Sequence, residues 1–242
     1  MTDHGVPGDW VAAVADAVAA VAAERGHERI TCASGISPSG PIHLGNLREV
    51  MVPHLVADEL QRRGLDCRHL LSWDDYDRLR KVPAGVDPSF QEHIGRPLTA
   101  VPDPEGCHES WSEHFKAPFR VALDQLGVQV DEVSQTEQYT AGTYVEQILL
   151  SMERRREIFD TLDRYRTLAR DAGAADDEDD ADTGSERDRY SPYKPYCRVC
   201  GRDTTHVTAY DDATHELAYR CDCGHDDAFR LDEVHHRKKV MN

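Results

Sequence analysis

The order of elements between Arg29 and Trp73 constrains the fold of this 242-residue chain most strongly. Residues 29–33 have the pattern of a short strand, and 34–41 form a loop dense in glycine, serine and proline. Residues 44–63 have the periodicity of an amphipathic helix, and 66–73 that of a buried strand. This order predicts the opening of a doubly wound α/β fold, whose parallel strands bind ligands at their carboxyl ends.

The loop at residues 38–46, Pro-Ser-Gly-Pro-Ile-His-Leu-Gly-Asn, predicts a nucleotide site. Its glycines let a ligand approach the backbone closely, and the helix that follows directs its unpaired amides and positive dipole end at an anion. His43 lies one residue before this helix and Asn46 lies in its first turn, so both can donate hydrogen bonds to phosphate oxygens. We therefore expect the phosphates of a nucleotide at this edge of the sheet.

Three carboxylates, Asp74, Asp75 and Asp77, follow the second strand directly and are expected at the same edge. A half-buried carboxylate selects an ammonium group, because an uncharged ligand would leave its charge unpaired. Asp74 is the residue that we expect to bind such a ligand. A solvated turn that caps the next element is the alternative interpretation.

Four of the seven cysteines have the spacing of a zinc ribbon. Two residues separate Cys197 from Cys200, and one residue separates Cys221 from Cys223. Two such pairs on hairpin turns form a tetrahedral site for structural zinc. His225 could replace Cys223 as the fourth ligand, and four buried or free thiols are the alternative without a metal.

A second cluster offers four ligands of the types that bind zinc: Asp103, Cys107, His108 and His114. Because protein groups would occupy all four positions, the role expected for this site is structural. The alternative is that Cys107 lies in the core and the histidines lie on the surface of the next helix.

Charge and cysteine content restrict the function further. Lys and Arg number 28 against 45 Asp and Glu, and the formal net charge of −17 by itself argues against a nucleic-acid partner. Much of the acid lies in residues 176–182, which should form a solvated loop. The apolar stretch 10–23 is interrupted by Asp16 and predicts neither a signal peptide nor a membrane span. We expect a cytoplasmic protein with reduced thiols and no membrane partner.

The segment His43-Leu44-Gly45-Asn46 resembles the His-Ile-Gly-His signature of class I aminoacyl-tRNA synthetases, with Asn46 in place of the last histidine. The preceding Ser-Gly-Ile-Ser-Pro-Ser-Gly-Pro and residues 72–83, Ser-Trp-Asp-Asp-Tyr-Asp-Arg-Leu-Arg-Lys-Val-Pro, are similar to the class I lysyl-tRNA synthetases in particular. The resemblance implies ATP-dependent attachment of lysine to tRNA(Lys), with magnesium accompanying ATP. It also favours zinc at the Asp-Cys-His-His cluster.

The same resemblance implies roles for residues of the loop. His43 and Asn46 would contact the ATP phosphates as catalytic residues. The full set implied to bind ATP or adenylate is Ser34, Gly35, Pro41, His43, Gly45 and Asn46.

A second phosphate-binding loop, rich in lysine and serine, is expected of class I synthetases but is not found in the sequence. The basic run 237–239 lacks the serines. The resemblance therefore covers the first half of a longer enzyme, truncated before this loop. We expect the chain to bind ATP or adenylate weakly and to aminoacylate poorly or not at all.

The predicted organisation has three parts. Residues 1–168 form a Rossmann-like half-domain with a metal-binding excursion at about 100–118, 169–190 form an acidic linker, and 191–242 form an inserted zinc-ribbon module and tail. Two other functions stay open: a non-catalytic zinc-stabilised module that binds RNA or protein, and a nucleotidyltransferase that acts on another carboxylate or phosphate. The oligomeric state is not predicted.

Overall fold

A computed structural model of the protein describes residues 9–171 and 183–233. The chain divides into two compact units, Met1–Glu137 and Gln138–Asn242. The acidic run 176–182 and the basic run 237–239 both lie outside the described residues. No helix within the described ranges has both the length and the apolar character needed to cross a lipid bilayer.

The first unit contains a three-stranded parallel sheet. Its main elements in chain order are α1 (Trp10–Arg25), β1 (Arg29–Ile36), α2 (Leu44–Arg62), β2 (Asp66–Trp73), α3 (Trp111–Gln125) and β3 (Asp131–Ser134). β1 pairs with β2 from Arg29↔Asp66 to Ile36↔Trp73, and β2 pairs with β3 as far as Trp73↔Ser134. Because parallel neighbours need a crossover, α2 connects β1 to β2, and α3 lies in the longer connection to β3. The predicted α/β class with a parallel sheet is confirmed.

Two helices cover the sheet and hold its strands in place. Phe119 and Leu123 of α3 and Val50 of α2 bury their side chains against Leu71 and Trp73 of β2. Burial of these apolar faces is the main force that holds the layers together. The loops that leave the carboxyl ends of β1 and β2 therefore start from a rigid layer.

The end of β1, the start of α3 and the start of β3, predicted at Val128 but found at Asp131, differ from the sequence prediction. β1 continues to Ile36, three residues past the predicted end, because these residues pair with β2 and Ile36 is buried. Strand pairing thus overrides the turn preference of a Ser-Gly sequence. The sequence pattern predicts a helix over 115–126, but α3 begins earlier, at Trp111. The Ser110 hydroxyl caps it there by accepting from the Glu113 amide at 3.3 Å.

Helix α4 (Gln135–Ala141) follows β3 directly and was not predicted. The second unit continues with α5 (Val145–Glu153), α6 (Arg155–Asp171), α7 (Thr183–Arg189), β4 (Thr205–Tyr210), β5 (Glu216–Cys221) and β6 (Asp226–Arg230). The sequence pattern of residues 143 to about 166 predicts one long helix, and this prediction is wrong because the helix is interrupted at Arg154. There the Arg155 guanidinium donates to the Met152 carbonyl at 2.7 Å, and this bond competes with the regular helical hydrogen bonds. The same guanidinium also binds the Asp212 carboxylate.

The strands of the second unit form an antiparallel sheet in the order β4-β5-β6. Its core consists of Leu217 and Tyr219 of β5, Phe229 of β6, and Met152 of α5. Two of the cysteines, Cys197 and Cys221, are buried in the same cluster. The small apolar core thus lies directly against the cysteine pairs.

Candidate nucleotide-binding site and metal centres

The loop between β1 and α2 and the segment after β2 lie together at the carboxyl edge of the sheet. Ile36 and Trp73 end their strands as paired neighbours. The Asp74 amide then donates to the Ile36 carbonyl at 2.9 Å, which extends the contact one residue beyond the strands. The paired strands therefore bring the loop and the first of the three carboxylates together at their carboxyl ends. This is the position predicted for a ligand.

His43 and Asn46 form a reciprocal cap at the start of α2. The Gly45 amide donates to His43 Nδ1 at 3.1 Å, and the His43 amide donates to Asn46 Oδ1 at 3.2 Å. With Nδ1 acting as an acceptor, the neutral ring carries its proton on Nε2. The cap thus leaves two donors for a ligand, the Nε2–H of His43 and the Nδ2 amide of Asn46. The His43 side chain is exposed, as a phosphate contact requires.

Gly45 is required by the position of the His43 ring. A Cβ atom at residue 45 would lie 2.8 Å from His43 Cε1 and 3.0 Å from Nδ1. Any side chain there would push the imidazole out of the cap. The glycine of the His-Leu-Gly-Asn segment therefore keeps the ring in place, in addition to opening the backbone to a ligand.

Ser34 directs its hydroxyl into the protein. Its Oγ lies 2.9 Å from Nε2 of His69, a β2 residue that is 4% exposed. Burial, together with the charge of His54, lowers the pKa of His69 to about 4. The Ser34 hydroxyl is therefore engaged inside the protein, and only the backbone of this residue is left for a ligand. Pro41 is exposed in the loop.

Asp74 is the half-buried carboxylate beside Gly35. Ser72 donates to its Oδ1 at 3.2 Å, and Gln135 Nε2 donates to Ser72 Oγ at 2.8 Å. A Cβ atom at Gly35 would lie 3.7 Å from Oδ2, which receives no hydrogen bond from the described residues. Burial and the neighbouring charges of Asp77 and Asp75 raise the pKa of Asp74, although the bond from Ser72 opposes them. A cation at Oδ2 would stabilise the ionised form.

The other two carboxylates differ from Asp74 in their surroundings. Asp75 is fully buried and accepts from Lys116 Nζ at 2.6 Å, from Ser134 Oγ at 2.7 Å and from the Thr136 amide at 2.8 Å. Three donors occupy its oxygens, which gives it a structural role. Asp77 is exposed. Of the three, Asp74 alone combines partial burial with an available oxygen.

Sequence reasoning missed Lys116, Gln135 and Ser72, which hold these carboxylates. Lys116 is 2% exposed and lies on α3 between the buried Ser112 and Phe119. A charged residue on the apolar face of a helix is a recognisable signal for a buried partner. Gln135 and Ser72 carry no comparable signal, since polar residues are common next to loops.

The four ribbon cysteines converge in the second unit. The Sγ atoms of Cys197 and Cys223 are 3.7 Å apart, as are those of Cys200 and Cys221. All four sulfurs lie within 4.8 Å of one another, and His225 is not part of this group within the described residues. A tetrahedral zinc with bonds of about 2.3 Å separates its sulfurs by about 3.8 Å. The donor set and its spacing fit zinc.

The second cluster also converges, at a turn in front of α3. Asp103 Oδ2 lies 3.2 Å from His108 Nδ1, and Asp103 Oδ1 lies 3.1 Å from His114 Nδ1. Cys107 Sγ lies 3.0 Å from His108 Nδ1 and 3.4 Å from His114 Nδ1. Against the effect of burial, backbone donors at Glu105 and His108 hold the pKa of Asp103 well below its usual range. The carboxylate is therefore ionised and oriented, as a metal ligand must be.

The structure is thus an α/β fold with a glycine-rich loop and a capped helix start at the carboxyl edge of a parallel sheet. A family model described as tRNA synthetases class I (K) matches residues 8–239, and the chain belongs to this family.

Individual relatives agree with this assignment. The chain is 52% identical to the lysine–tRNA ligase of Streptomyces coelicolor, over 96% of this chain and 44% of that relative. It is 39% identical to the lysine–tRNA ligase of Thermococcus kodakarensis, over 76% of this chain and 33% of the relative. It is 36% identical to that of Treponema pallidum, over 82% and 35% respectively. The chain thus spans less than half the length of these relatives.

Proposed function

We propose that the chain supplies the ATP- and lysine-binding part of a lysine–tRNA ligase. The observation that carries the proposal is the reciprocal cap at the start of α2. It uses His43 Nδ1 and Asn46 Oδ1 as acceptors, which leaves the Nε2–H of His43 and the Nδ2 amide of Asn46 as donors for a ligand at the carboxyl edge of the sheet. Helix amides and two side-chain donors at one point suit the phosphates of ATP.

In the proposed reaction a lysine carboxylate oxygen attacks the α-phosphorus of ATP, and pyrophosphate leaves with the electron pair of the broken P–O bond. The resulting lysyl-adenylate then reacts with a terminal ribose hydroxyl of tRNA(Lys), which attacks the acyl carbon and releases AMP. His43 Nε2–H and the Asn46 amide donate to phosphate oxygens as negative charge builds up. The backbone at Ser34, Gly35, Pro41 and Gly45 would line the adenylate, and magnesium would accompany ATP.

Asp74 would bind an ammonium group of lysine at Oδ2. Its partial burial strengthens the interaction, and the chain of hydrogen bonds from Gln135 through Ser72 holds the carboxylate in one orientation. An amino acid without the ε-ammonium group of lysine would leave this charge unpaired. Asp74 would thus contribute to selection of lysine.

Both metal clusters would hold structural zinc. The thiolates of Cys197, Cys200, Cys221 and Cys223 would link the hairpin turns of the second unit, whose apolar core is small. Asp103, Cys107, His108 and His114 would fix the turn before α3. Because the proposed reaction consumes ATP and tRNA, we propose that the protein acts in the cytoplasm.

The proposal is tested by calorimetric titration of the chain with lysyl-sulfamoyladenosine, a stable analogue of lysyl-adenylate. His43→Asn keeps a good helix cap but removes the outward Nε2–H. A hydrogen bond to a charged group contributes about 1.5–3 kcal/mol, so we expect binding to weaken about ten- to a hundredfold. The matched control is His27→Asn, at an exposed histidine outside the site.

Failure of the unsubstituted chain to bind the analogue, or equal binding by the two variants, would contradict the proposal. Tighter binding of analogues that carry other amino acids would instead favour a different nucleotidyltransferase. A non-catalytic zinc module predicts that chelation abolishes binding to RNA or protein while His43→Asn leaves it intact.

A further inference from the structure

We propose that a basic pocket beside the nucleotide loop binds phosphate groups, supplied by inorganic pyrophosphate or by an RNA backbone. This inference deepens the proposed function, on which the choice of a phosphate ligand rests. The pocket lies between the loop after β1 and the segment after β2 and has a volume of about 270 Å³. Its polar lining consists of Ser37, Ser39, Asp77, Arg78, Arg80 and Lys81.

The basic wall of the pocket is anchored to the first unit by Leu79. This residue is fully buried, and its backbone exchanges hydrogen bonds with the Arg96 carbonyl at 2.8 Å and the Gly95 amide at 2.9 Å. Arg78 and Arg80 flank it and are both exposed. Arg78 also forms an isolated antiparallel bridge with Pro97, so the backbone is held on both sides of the buried leucine. The cations are thus carried by backbone whose position is fixed.

The opposite wall belongs to the loop that leads to His43. A Cβ atom at Gly40 would lie 3.4 Å from Cγ of Pro83, so the loop and the basic segment are in close contact beside the pocket. Ser37 and Ser39 add hydroxyl groups to this wall. Hydroxyl donors together with guanidinium and ammonium groups are a donor set suited to phosphate oxygens.

The charge of the pocket differs in sign from that of the chain. Three cations line it against the single carboxylate of Asp77, whereas the whole chain carries a formal net charge of −17. Arg78 already has an interaction within the protein, whereas Arg80 and Lys81 have no ion-pair partner among the described residues. Their charges are therefore available to a ligand, and a local positive potential would concentrate anions that the rest of the surface repels.

The test uses the full chain with both Arg80 and Lys81 changed to glutamine. A control with Arg25→Gln and Arg68→Gln makes the same change of charge at exposed positions away from the carboxyl edge of the sheet. The probes are inorganic pyrophosphate, titrated by calorimetry, and a fluorescent 12-nucleotide RNA that ends in CCA, titrated at several salt concentrations. Loss of charged contacts should weaken binding of the recognised probe about tenfold or more. If RNA is the source, the slope of log K against log salt should fall by about 1.4, since each contact with a single strand contributes about 0.7.

A loss confined to pyrophosphate assigns the pocket to the leaving group of ATP, and a loss confined to RNA assigns it to the tRNA strand. Both outcomes support a phosphate site. Equal binding by the double variant and the control, or no binding of either probe by the unsubstituted chain, would overturn it.

A second measurement needs no substitution. Pyrophosphate or RNA should slow acetylation of Lys81 relative to the exposed Lys194, and equal rates would contradict the proposal.

Binding of lysyl-sulfamoyladenosine distinguishes the phosphate-site proposal from the proposed function. If the double variant still binds the analogue but has lost pyrophosphate or RNA, the pocket is a site of its own. If the unsubstituted chain binds a probe but not the analogue, the phosphate site stands and the synthetase proposal fails.

Discussion

Substitution of Lys116 by methionine should destabilise the first unit by about 3 kcal/mol. The Lys116 and Asp75 side chains are 3% and 1% exposed, and their atoms lie 2.6 Å apart. Removal of one partner from a buried ion pair typically costs about 3–5 kcal/mol, because the other charge remains buried without compensation. Ser134 and the Thr136 amide still donate to Asp75, which places the loss at the lower end of this range. Methionine is similar in length to lysine, so the cavity term is small.

Urea unfolding followed by tryptophan fluorescence measures this loss, since Trp10, Trp73 and Trp111 all belong to the first unit. Lys81→Met, at an exposed lysine of the same unit, is the control and should change stability by less than about 0.5 kcal/mol. The double variant Asp75→Asn/Lys116→Met should be more stable than the sum of the two single losses predicts. A loss below about 1 kcal/mol for Lys116→Met, or strict additivity in the double variant, would show that the pair is not a coupled buried interaction.

Four further outcomes are expected. Gly45→Ala should displace the His43 ring and weaken calorimetric binding of lysyl-sulfamoyladenosine about tenfold or more, and unchanged binding would show that the cap is not needed. Asp74→Asn should weaken binding of the lysyl analogue about tenfold or more but should not weaken binding of the norleucyl analogue, which lacks only the ε-ammonium group. An equal loss of affinity for both analogues would refute selection by this carboxylate. The buried His69, with its pKa lowered to about 4, stays neutral in the folded protein while the unfolded chain takes up its proton near pH 6.5. The stability that neutral His69 contributes is therefore complete above pH 6.5 and is lost as the pH falls toward 4, by at most about 3 kcal/mol. Between these pH values, the free energy of unfolding of His69→Gln in urea should depend less on pH than that of the unsubstituted chain. Zinc analysis should find two ions per chain and one in Cys223→Ser, and two ions in that variant would exclude the residue as a ligand.

Local patterns in the sequence predicted much of the first unit. The start and end of α2, the span of β2 and the roles of His43 and Asn46 as polar groups at a helix start follow from residues at most four positions apart. The cysteine spacing likewise predicted a convergence of sulfurs that the structure shows. Predictions of this kind agree with the structure because helix caps and metal knuckles are formed by residues that are neighbours in the sequence.

The surroundings of the three carboxylates depended on the tertiary structure. Asp74, Asp75 and Asp77 look alike in sequence, and Asp75 becomes a structural residue only because Lys116, 41 positions later, meets it in the core. Gln135, which donates to the Ser72 hydroxyl beside Asp74, lies 63 positions after Ser72. The basic pocket is formed by two loops that follow different strands. Such contacts form when the strands pair and the helices pack, so the composition of any one segment does not encode them. The sequence by itself determined the strand-loop-helix unit and its cap, while packing of that unit against α3 and β3 decided which carboxylate is left to meet a ligand.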